Sequence, residues 1–268
     1  MYPNSFSISS LLALFFFLFA LIGVPTTLCV DDPRYSDCRT TIRCGSIAFD
    51  YPFWGMNRAN YCGPPGFELK CEDEVAKITM GQNTLRILDV NPRQQILQVA
   101  REDYWNGYCP TELINTTIDF NHFDFGSNLR NLTLFYGCYL PSVVIFGNNC
   151  TINGAIMDVS YAVTSLLVDP RPVVCQRSVI VPIYERASQI LEGNPLTVND
   201  ALKGGFELQW EVDSDRCRRC SDSDGVCGYN QTTNSFICFC RDQPSETTCS
   251  PTTQVNEMTP LTLNILTG

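Results

Sequence analysis

The sequence predicts a mainly β protein composed of two small disulfide-rich domains with one or two short helices. Short runs of β-branched and aromatic residues alternate with turn residues, and sustained helical periodicity is absent between Cys38 and Cys138. Fourteen of the fifteen cysteines follow an apolar leader. An even set of thiols in a chain sent to an oxidising compartment is typical of a disulfide framework, so we expect an extracellular protein.

The chain opens with an apolar segment, residues 8–24, that contains no charged side chain. It is at the short limit for crossing a bilayer and stands first in the chain, so we predict a signal peptide over residues 1–29. Cleavage there removes Cys29 and leaves an even number of cysteines. We predict that all of these form disulfides: Cys38, Cys44, Cys62, Cys71, Cys109, Cys138, Cys150, Cys175, Cys217, Cys220, Cys227, Cys238, Cys240 and Cys249.

Four Asn-x-Ser/Thr sequons support secretion, because such sites are modified on exported proteins. We expect surface asparagines that carry glycans at Asn115, Asn131, Asn149 and Asn230. Asn149 is the least favourable of the four, since Cys150 inside its sequon is expected to form a disulfide.

The first predicted domain covers residues 36–140. Its β-branched and aromatic residues are concentrated in runs of strand length, separated by turns such as the Gly-Pro-Pro-Gly sequence at residues 63–66. These runs predict strands at residues 47–51, 67–71, 85–90, 96–100, 117–120 and 132–136.

The second predicted domain covers residues 150–249, with strands expected within residues 155–168 and 173–183. A hydroxyl N-cap at Thr197 and a glycine stop at residues 204–205 predict one short helix. The strand that follows should bury Phe206, Leu208, Trp210 and Val212 and expose the acids between them. Residues 250–268 lack cysteine, and we expect a mobile tail.

The formal net charge of −10 excludes one class of partner. Nucleic-acid binding depends on clustered Lys and Arg, and the one dense basic cluster, residues 216–219, is flanked by aspartates. We therefore predict no nucleic-acid partner.

The sequence does not predict an enzyme. Asp124, Phe125 and Gly126 spell the Mg²⁺-binding tripeptide of kinases, but the one histidine, His122, is followed by Phe123, so no catalytic loop exists. A single histidine and an even cysteine count also offer no nucleophile with its base.

Two other chemistries have permissive spacing. Glu211 and Asp213, two residues apart on a predicted strand, would lie about 7 Å apart, as glycoside hydrolysis allows, but a solvated acidic face explains them better. The cysteines at positions 217, 220, 238 and 240 could bind zinc, yet oxidation during export favours disulfides. We predict no metal site and no cofactor.

Several motifs stand in a characteristic order. The first domain contains IAFDYPF at residues 47–53, CGPPGFELKC at 62–71 and NLTLFYGC at 131–138. The second contains ALKGGFELQW at 201–210, CGYN at 227–230 and FICFC at 236–240. The first set resembles the galacturonan-binding domain of plant wall-associated receptor kinases, and the second resembles their C-terminal cysteine-rich domain. Together they look like the extracellular region of leaf-rust-resistance-locus receptor-like kinases.

That family also carries a transmembrane helix and a Ser/Thr kinase, which this sequence does not reach. We therefore expect a protein of the apoplast or cell wall, attached to a membrane only if the chain is a truncated receptor. The resemblance implies binding of cell-wall pectin or oligogalacturonides in wall sensing or defence, with a membrane co-receptor as a further partner. The alternatives are a protein- or peptide-binding ectodomain and a truncated form of a receptor-like kinase.

Sugar rings stack on aromatic faces, and uronate carboxylates need Arg, Lys or a bridging cation. Since the chain is acidic, Ca²⁺ bridging of pectate stays an open alternative. Two clusters that combine aromatic and basic side chains are the predicted ligand-binding residues: Tyr51, Phe53, Trp54 and Arg58 in the first, and Arg101, Tyr104, Trp105 and Tyr108 in the second.

Overall fold

A computed structural model of the chain describes residues 31–138, 149–165, 175–194 and 197–250. The predicted signal peptide and the tail beyond residue 250 lie outside these residues. Within the described ranges, no helix combines the length and the apolar character that a membrane span requires.

The mainly β prediction is confirmed, with four short α-helices in the described residues where one or two were expected. The helices are α1 (Pro33–Arg39), α2 (Glu185–Gly193), α3 (Val198–Gly204) and α4 (Ser214–Asp222). The strands are β1 (Ile42–Cys44), β2 (Ile47–Phe49), β3 (Leu69–Glu72), β4 (Val75–Met80), β5 (Asn83–Asn91), β6 (Ile96–Arg101), β7 (Phe123–Phe125), β8 (Leu129–Cys138), β9 (Cys150–Ile152), β10 (Ala155–Met157), β11 (Val159–Ser165), β12 (Cys175–Tyr184), β13 (Phe206–Trp210), β14 (Val226–Asn230) and β15 (Ser235–Phe239).

The largest sheet has six antiparallel strands in the order β3-β4-β5-β6-β13-β7. Alternate residues of its strands face the core, as the period of two requires. Strand β13 comes from the second predicted domain and lies between β6 and β7 of the first. Residues of both sequence blocks therefore share one sheet and one core, while the domain bounds 36–140 and 150–249 stay a prediction.

A second sheet has three antiparallel strands in the order β11-β8-β12. The central strand β8 is buried along most of its length, including its polar residues Asn131 and Thr133. Helices α2 and α3 supply Leu191, Val198, Ala201 and Leu202 to the core of this sheet.

The cysteine-rich end of the chain folds as the β14–β15 hairpin with α4 packed beside it. Helix α1, from the start of the described chain, also packs here through Tyr35 and Cys38, which share a cluster with Cys62 and Phe239. The two ends of the described chain are therefore in contact.

All fourteen predicted cysteines form disulfides, so that prediction is confirmed. The sequence left the connectivity open. The pairs are Cys38–Cys62, Cys44–Cys71, Cys109–Cys150, Cys138–Cys175, Cys217–Cys227, Cys220–Cys238 and Cys240–Cys249.

Three local predictions need correction. Residues 117–120 are not a strand, because the segment just before them hydrogen-bonds to β12. The backbone N–H of Thr116 donates to the Ile180 carbonyl, 3.1 Å away. Strand β13 ends at Trp210, before Val212. The predicted helix is confirmed as α3, but the Thr197 hydroxyl donates to the Asn194 carbonyl and does not cap the helix.

Candidate functional site

The first predicted cluster is divided between core and surface. Phe53 is 2% exposed and packs edge-to-face against Phe49, Phe67 and Trp210, with ring centroids 5.2–5.6 Å apart. Trp54 is half-buried, and its indole N–H donates to the Pro64 carbonyl at 2.7 Å. Phe53 therefore has no free face for a ligand, and Trp54 offers only part of its ring.

Tyr51 and Arg58 of the same cluster line a cavity of about 330 Å³, which we name the Arg58 cavity. One wall comes from the first part of the chain and includes Tyr35, Arg39, Asp50, Tyr51 and Arg58. The other wall comes from α4, the turn after it and the start of β14, and includes Ser221, Asp224 and Val226. This volume is at the lower end of the range for small-molecule pockets.

Arg58 is only 4% exposed, although it carries a charge. Its Nε has no hydrogen-bond partner among the described residues, and one nitrogen of its guanidinium lies 3.9 Å from the Asp50 carboxylate. Burial lowers the pKa of Arg58, while the charge of Asp50 acts in the opposite direction. The backbone N–H and carbonyl of Arg58 both bond to Gly55, so the turn itself is held by main-chain groups.

The second predicted cluster is mostly structural. Arg101 is 2% exposed, binds the Asp103 carboxylate through two nitrogens at 2.9 and 2.5 Å, and donates to the Ile114 carbonyl at 2.7 Å. The hydroxyl groups of Tyr104 and Tyr136 lie 3.3 Å apart, and burial raises the pKa of Tyr104 to about 12. Saturated partners and burial leave Arg101 and Tyr104 no free group for a ligand.

Tyr108 and Trp105 are half-buried. The Tyr108 carbonyl accepts the Tyr136 hydroxyl at 2.8 Å. The Arg86 guanidinium lies 4.2 Å from the Trp105 ring centroid, and the Lys203 ammonium lies 5.9 Å from it. Glu102 accepts from Arg86, so one of these two cations is paired. The residues that line the Arg58 cavity include none of the second cluster, so the structure does not bring the two predicted clusters together there.

The sequence missed Tyr35, Asp50, Ser221 and Asp224 as cavity residues. Their only signal was proximity to cysteines in sequence, and the contact between α1 and β14 that brings them together is long-range. Three sulfur atoms, of Cys238, Cys240 and Cys249, lie within 4.8 Å of one another, but all three cysteines are in disulfides and present no thiolate to a metal.

The two-carboxylate spacing that the sequence permits does not form on a strand. Asp213 follows the end of β13 and caps α4, where its carboxylate accepts from the Arg216 backbone N–H at 3.0 Å and pairs with the Arg216 side chain at 3.1 Å. Asp124 and Phe125 of the kinase-like tripeptide lie in β7, at the edge of the large sheet.

The four sequons differ in exposure. Asn115 and Asn149 are exposed and Asn230 is half-buried, whereas Asn131 lies in the central strand β8 with 9% of its surface exposed. The expectation of a surface position is wrong for Asn131, because the pattern of a sequon contains no information about burial. Use of these sites for glycosylation stays a prediction.

Comparison with known proteins identifies two domains. Residues 38–101 match the family described as wall-associated receptor kinase galacturonan-binding, and residues 149–243 match the family described as wall-associated receptor kinase C-terminal. The Arg58 cavity takes one wall from each matched region, apart from Tyr35.

The chain is also similar to three leaf rust 10 disease-resistance locus receptor-like protein kinase-like proteins of Arabidopsis thaliana. Protein 2.1 is 29% identical over 87% of this chain and 38% of its own length. Protein 2.4 is 29% identical over 91% of this chain and 37% of its own length. Protein 2.8 is 31% identical over 79% of this chain and 25% of its own length. The chain thus spans less than two fifths of these relatives. No solved structure matches it.

Proposed function

We propose that this chain is an extracellular module that binds acidic cell-wall polysaccharide. It contains the galacturonan-binding and C-terminal domains of wall-associated receptor kinases, and it is homologous to leaf rust 10 receptor-like kinases over most of its length. The observation that carries the proposal is the coincidence of a domain match with a cavity. The segment that matches the galacturonan-binding family contributes two basic residues, Arg39 and Arg58, to that cavity.

The net charge of the chain argues for a local site over a broad charged surface. A net charge of −10 repels a polyuronate at long range, while a short-range contact with a desolvated cation is screened much less. A compact basic site suits an acidic chain better than diffuse attraction does. Calcium that bridges carboxylates on both partners is the other physical route.

The setting of this module follows from its chemistry and its relatives. Seven disulfides suit an oxidising compartment, which supports an extracellular location. The relatives are named receptor-like protein kinases, and this chain spans less than two fifths of them. We propose that it corresponds to a ligand-binding part of such a receptor, non-enzymatic in itself, with a role in wall sensing or defence and with a membrane co-receptor as a further partner.

An array of wall polysaccharides, probed with the purified protein in calcium and in chelator, tests the proposal. We expect binding to de-esterified pectin and not to neutral glucans or galactans. Binding in chelator would identify a direct contact, whereas binding that requires calcium would identify cation bridging. Absence of binding to every wall polysaccharide on the array would contradict the proposal and favour a protein- or peptide-binding ectodomain.

A further inference from the structure

We infer that Arg58 is the carboxylate-binding residue of a composite site, formed jointly by the two matched domains, that receives one uronate carboxylate of an acidic oligosaccharide. The identity of the ligand rests on the proposed function. The position of the site rests on the burial and the missing partners of Arg58.

The Arg58 guanidinium is not fully hydrogen-bonded within the described chain. Arginine carries five N–H donors, and a buried charge is costly unless it is paired and hydrogen-bonded. Arg58 is buried, its Nε lacks a partner within the described chain, and its one ion-pair contact there is at the 3.9 Å limit. Arg101, equally buried, has its carboxylate and its carbonyl in place, so the comparison within one chain sets Arg58 apart.

The Arg58 side chain borders a cavity. The cavity measures about 330 Å³, which is large enough for a planar anion beside the guanidinium. A carboxylate is the ligand that a guanidinium binds best, because two parallel N–H donors match its two oxygens. The cavity is small, which suits a single sugar residue or a chain end more than a long stretch of polymer.

Two acidic residues also line the cavity. Asp50 and Asp224 both line it, and both carboxylates are exposed to solvent. Asp224 pairs with Arg241 at 3.3 Å, and the Thr41 hydroxyl donates to Asp50 at 2.7 Å. Exposed, partnered acids repel an incoming anion weakly, whereas the buried cation attracts it with little screening. At short range the buried Arg58 cation therefore favours an anion in the cavity.

The cavity wall is composite. Ser221 and Asp224 come from the region that matches the C-terminal family, while Asp50 and Arg58 come from the galacturonan-binding region. A ligand that fills the cavity beside Arg58 would then contact both regions. The inference gives the C-terminal domain a direct role in binding, beyond what its family name states.

The test compares substitutions in the full secreted chain. Arg58→Gln removes the cation but keeps the backbone bonds to Gly55, and Arg43→Gln makes the same charge change on the exposed face of β1. Ser221→Tyr fills the cavity from the exposed side of α4, in the other domain. Circular dichroism and thermal unfolding establish that each variant folds.

The ligand probes are an unesterified oligogalacturonide, its methyl ester and D-galacturonate, titrated in chelator. We expect Arg58→Gln to weaken binding of the unesterified oligomer at least tenfold, because a charge-assisted bidentate pair accounts for a difference of this size. Ser221→Tyr should weaken binding to a similar extent by occupying the cavity, and Arg43→Gln should change it less than about twofold. Methyl esterification should weaken binding by the wild-type chain to a similar extent.

The outcomes separate this inference from the proposed function. If the wild-type chain binds the oligomer and folded Arg58→Gln binds it equally well, the composite site is wrong while pectin binding stands. If the wild-type chain binds the oligomer neither in chelator nor in calcium, pectin binding fails, and thermal stabilisation by D-galacturonate then tests the carboxylate site. Stabilisation that Arg58→Gln abolishes would support the carboxylate site, and its absence in the wild-type chain would overturn it.

Discussion

Phe206 lies directly opposite Val99 in antiparallel register, and this pair joins β13 to β6 within the six-stranded sheet. Both side chains are fully buried in the same core. Because Phe206 lies in the second family match and Val99 in the first, the pair makes the hydrophobic core common to both matched regions.

This relationship predicts that the galacturonan-binding region does not fold alone. A fragment that ends at residue 140 lacks β13, so β6 and β7 lose the strand between them, and Cys109 and Cys138 lose their disulfide partners. We expect non-cooperative thermal unfolding and free thiols, while the chain through residue 250 unfolds cooperatively. A fragment with a sharp transition and native Cys38–Cys62 and Cys44–Cys71 pairs would contradict a shared core.

Gly205 is predicted to be essential at the entry to β13. Its φ is +68° and a Cβ there would lie 2.0 Å from the Val99 carbonyl oxygen, which is backbone and cannot move aside. Gly205→Ala should therefore lower the free energy of unfolding by at least about 2 kcal/mol. The neighbouring Gly204→Ala meets nothing within 4 Å and should stay within about 1 kcal/mol of the wild type. Equal effects in urea unfolding would refute the proposed close approach.

Glu102 should contribute stability that depends on pH. Burial acts to raise the pKa of Glu102, but hydrogen bonds from Arg86 and Lys77 outweigh it and hold the pKa below its usual value of 4.5. A lowered folded-state pKa gives stability that is present above the unfolded pKa and is lost as the pH falls through the folded pKa. As the pH falls from about 6 to about 3, the free energy of unfolding should therefore decrease less in Glu102→Gln than in the wild type.

Urea midpoints across that range measure the difference. Glu112→Gln is the control, because Glu112 is exposed and has no ion pair in the described part of the chain. If the urea midpoint of Glu102→Gln fell with decreasing pH as steeply as that of the wild type, the Arg86 and Lys77 contacts would contribute nothing to folding stability.

Glycans should be present at exposed sequons and absent from buried ones. The Asn115 side chain is exposed, and its carbonyl oxygen accepts the Ile180 backbone N–H at 3.0 Å, which leaves its amide nitrogen to carry a sugar. Asn131 is buried in β8, where a glycan would have to displace core residues. Glycopeptide mass spectrometry of the folded secreted protein should find Asn115 occupied and Asn131 empty. Substantial occupancy at Asn131 in folded material would be inconsistent with the buried position.

The sequence predicted the features that depend on local pattern. Alternation of apolar and polar residues identified β13, and the even cysteine count identified every disulfide cysteine. Residues 117–120 have strand-like composition, yet they are not a strand, because the backbone just before them bonds across to β12. Hydrogen bonds to a distant strand depend on the tertiary fold, and no local sequence pattern predicts them.

The same limit applies to the candidate site. Clusters of aromatic and basic residues predicted Tyr51 and Arg58, which do line a cavity, and also Phe53 and Arg101, which are core residues. Sequence composition cannot distinguish a buried arginine with all its partners from one without them. The second wall of the cavity comes from a segment distant in the chain, so only the fold identifies it.

The most direct test of the central claim, that this chain binds acidic wall polysaccharide, is isothermal titration calorimetry of the wild-type secreted protein with an unesterified oligogalacturonide. The account predicts saturable binding that disappears when the same oligomer is methyl-esterified. Absence of heat at any oligomer concentration, or equal binding of the esterified form, would contradict it.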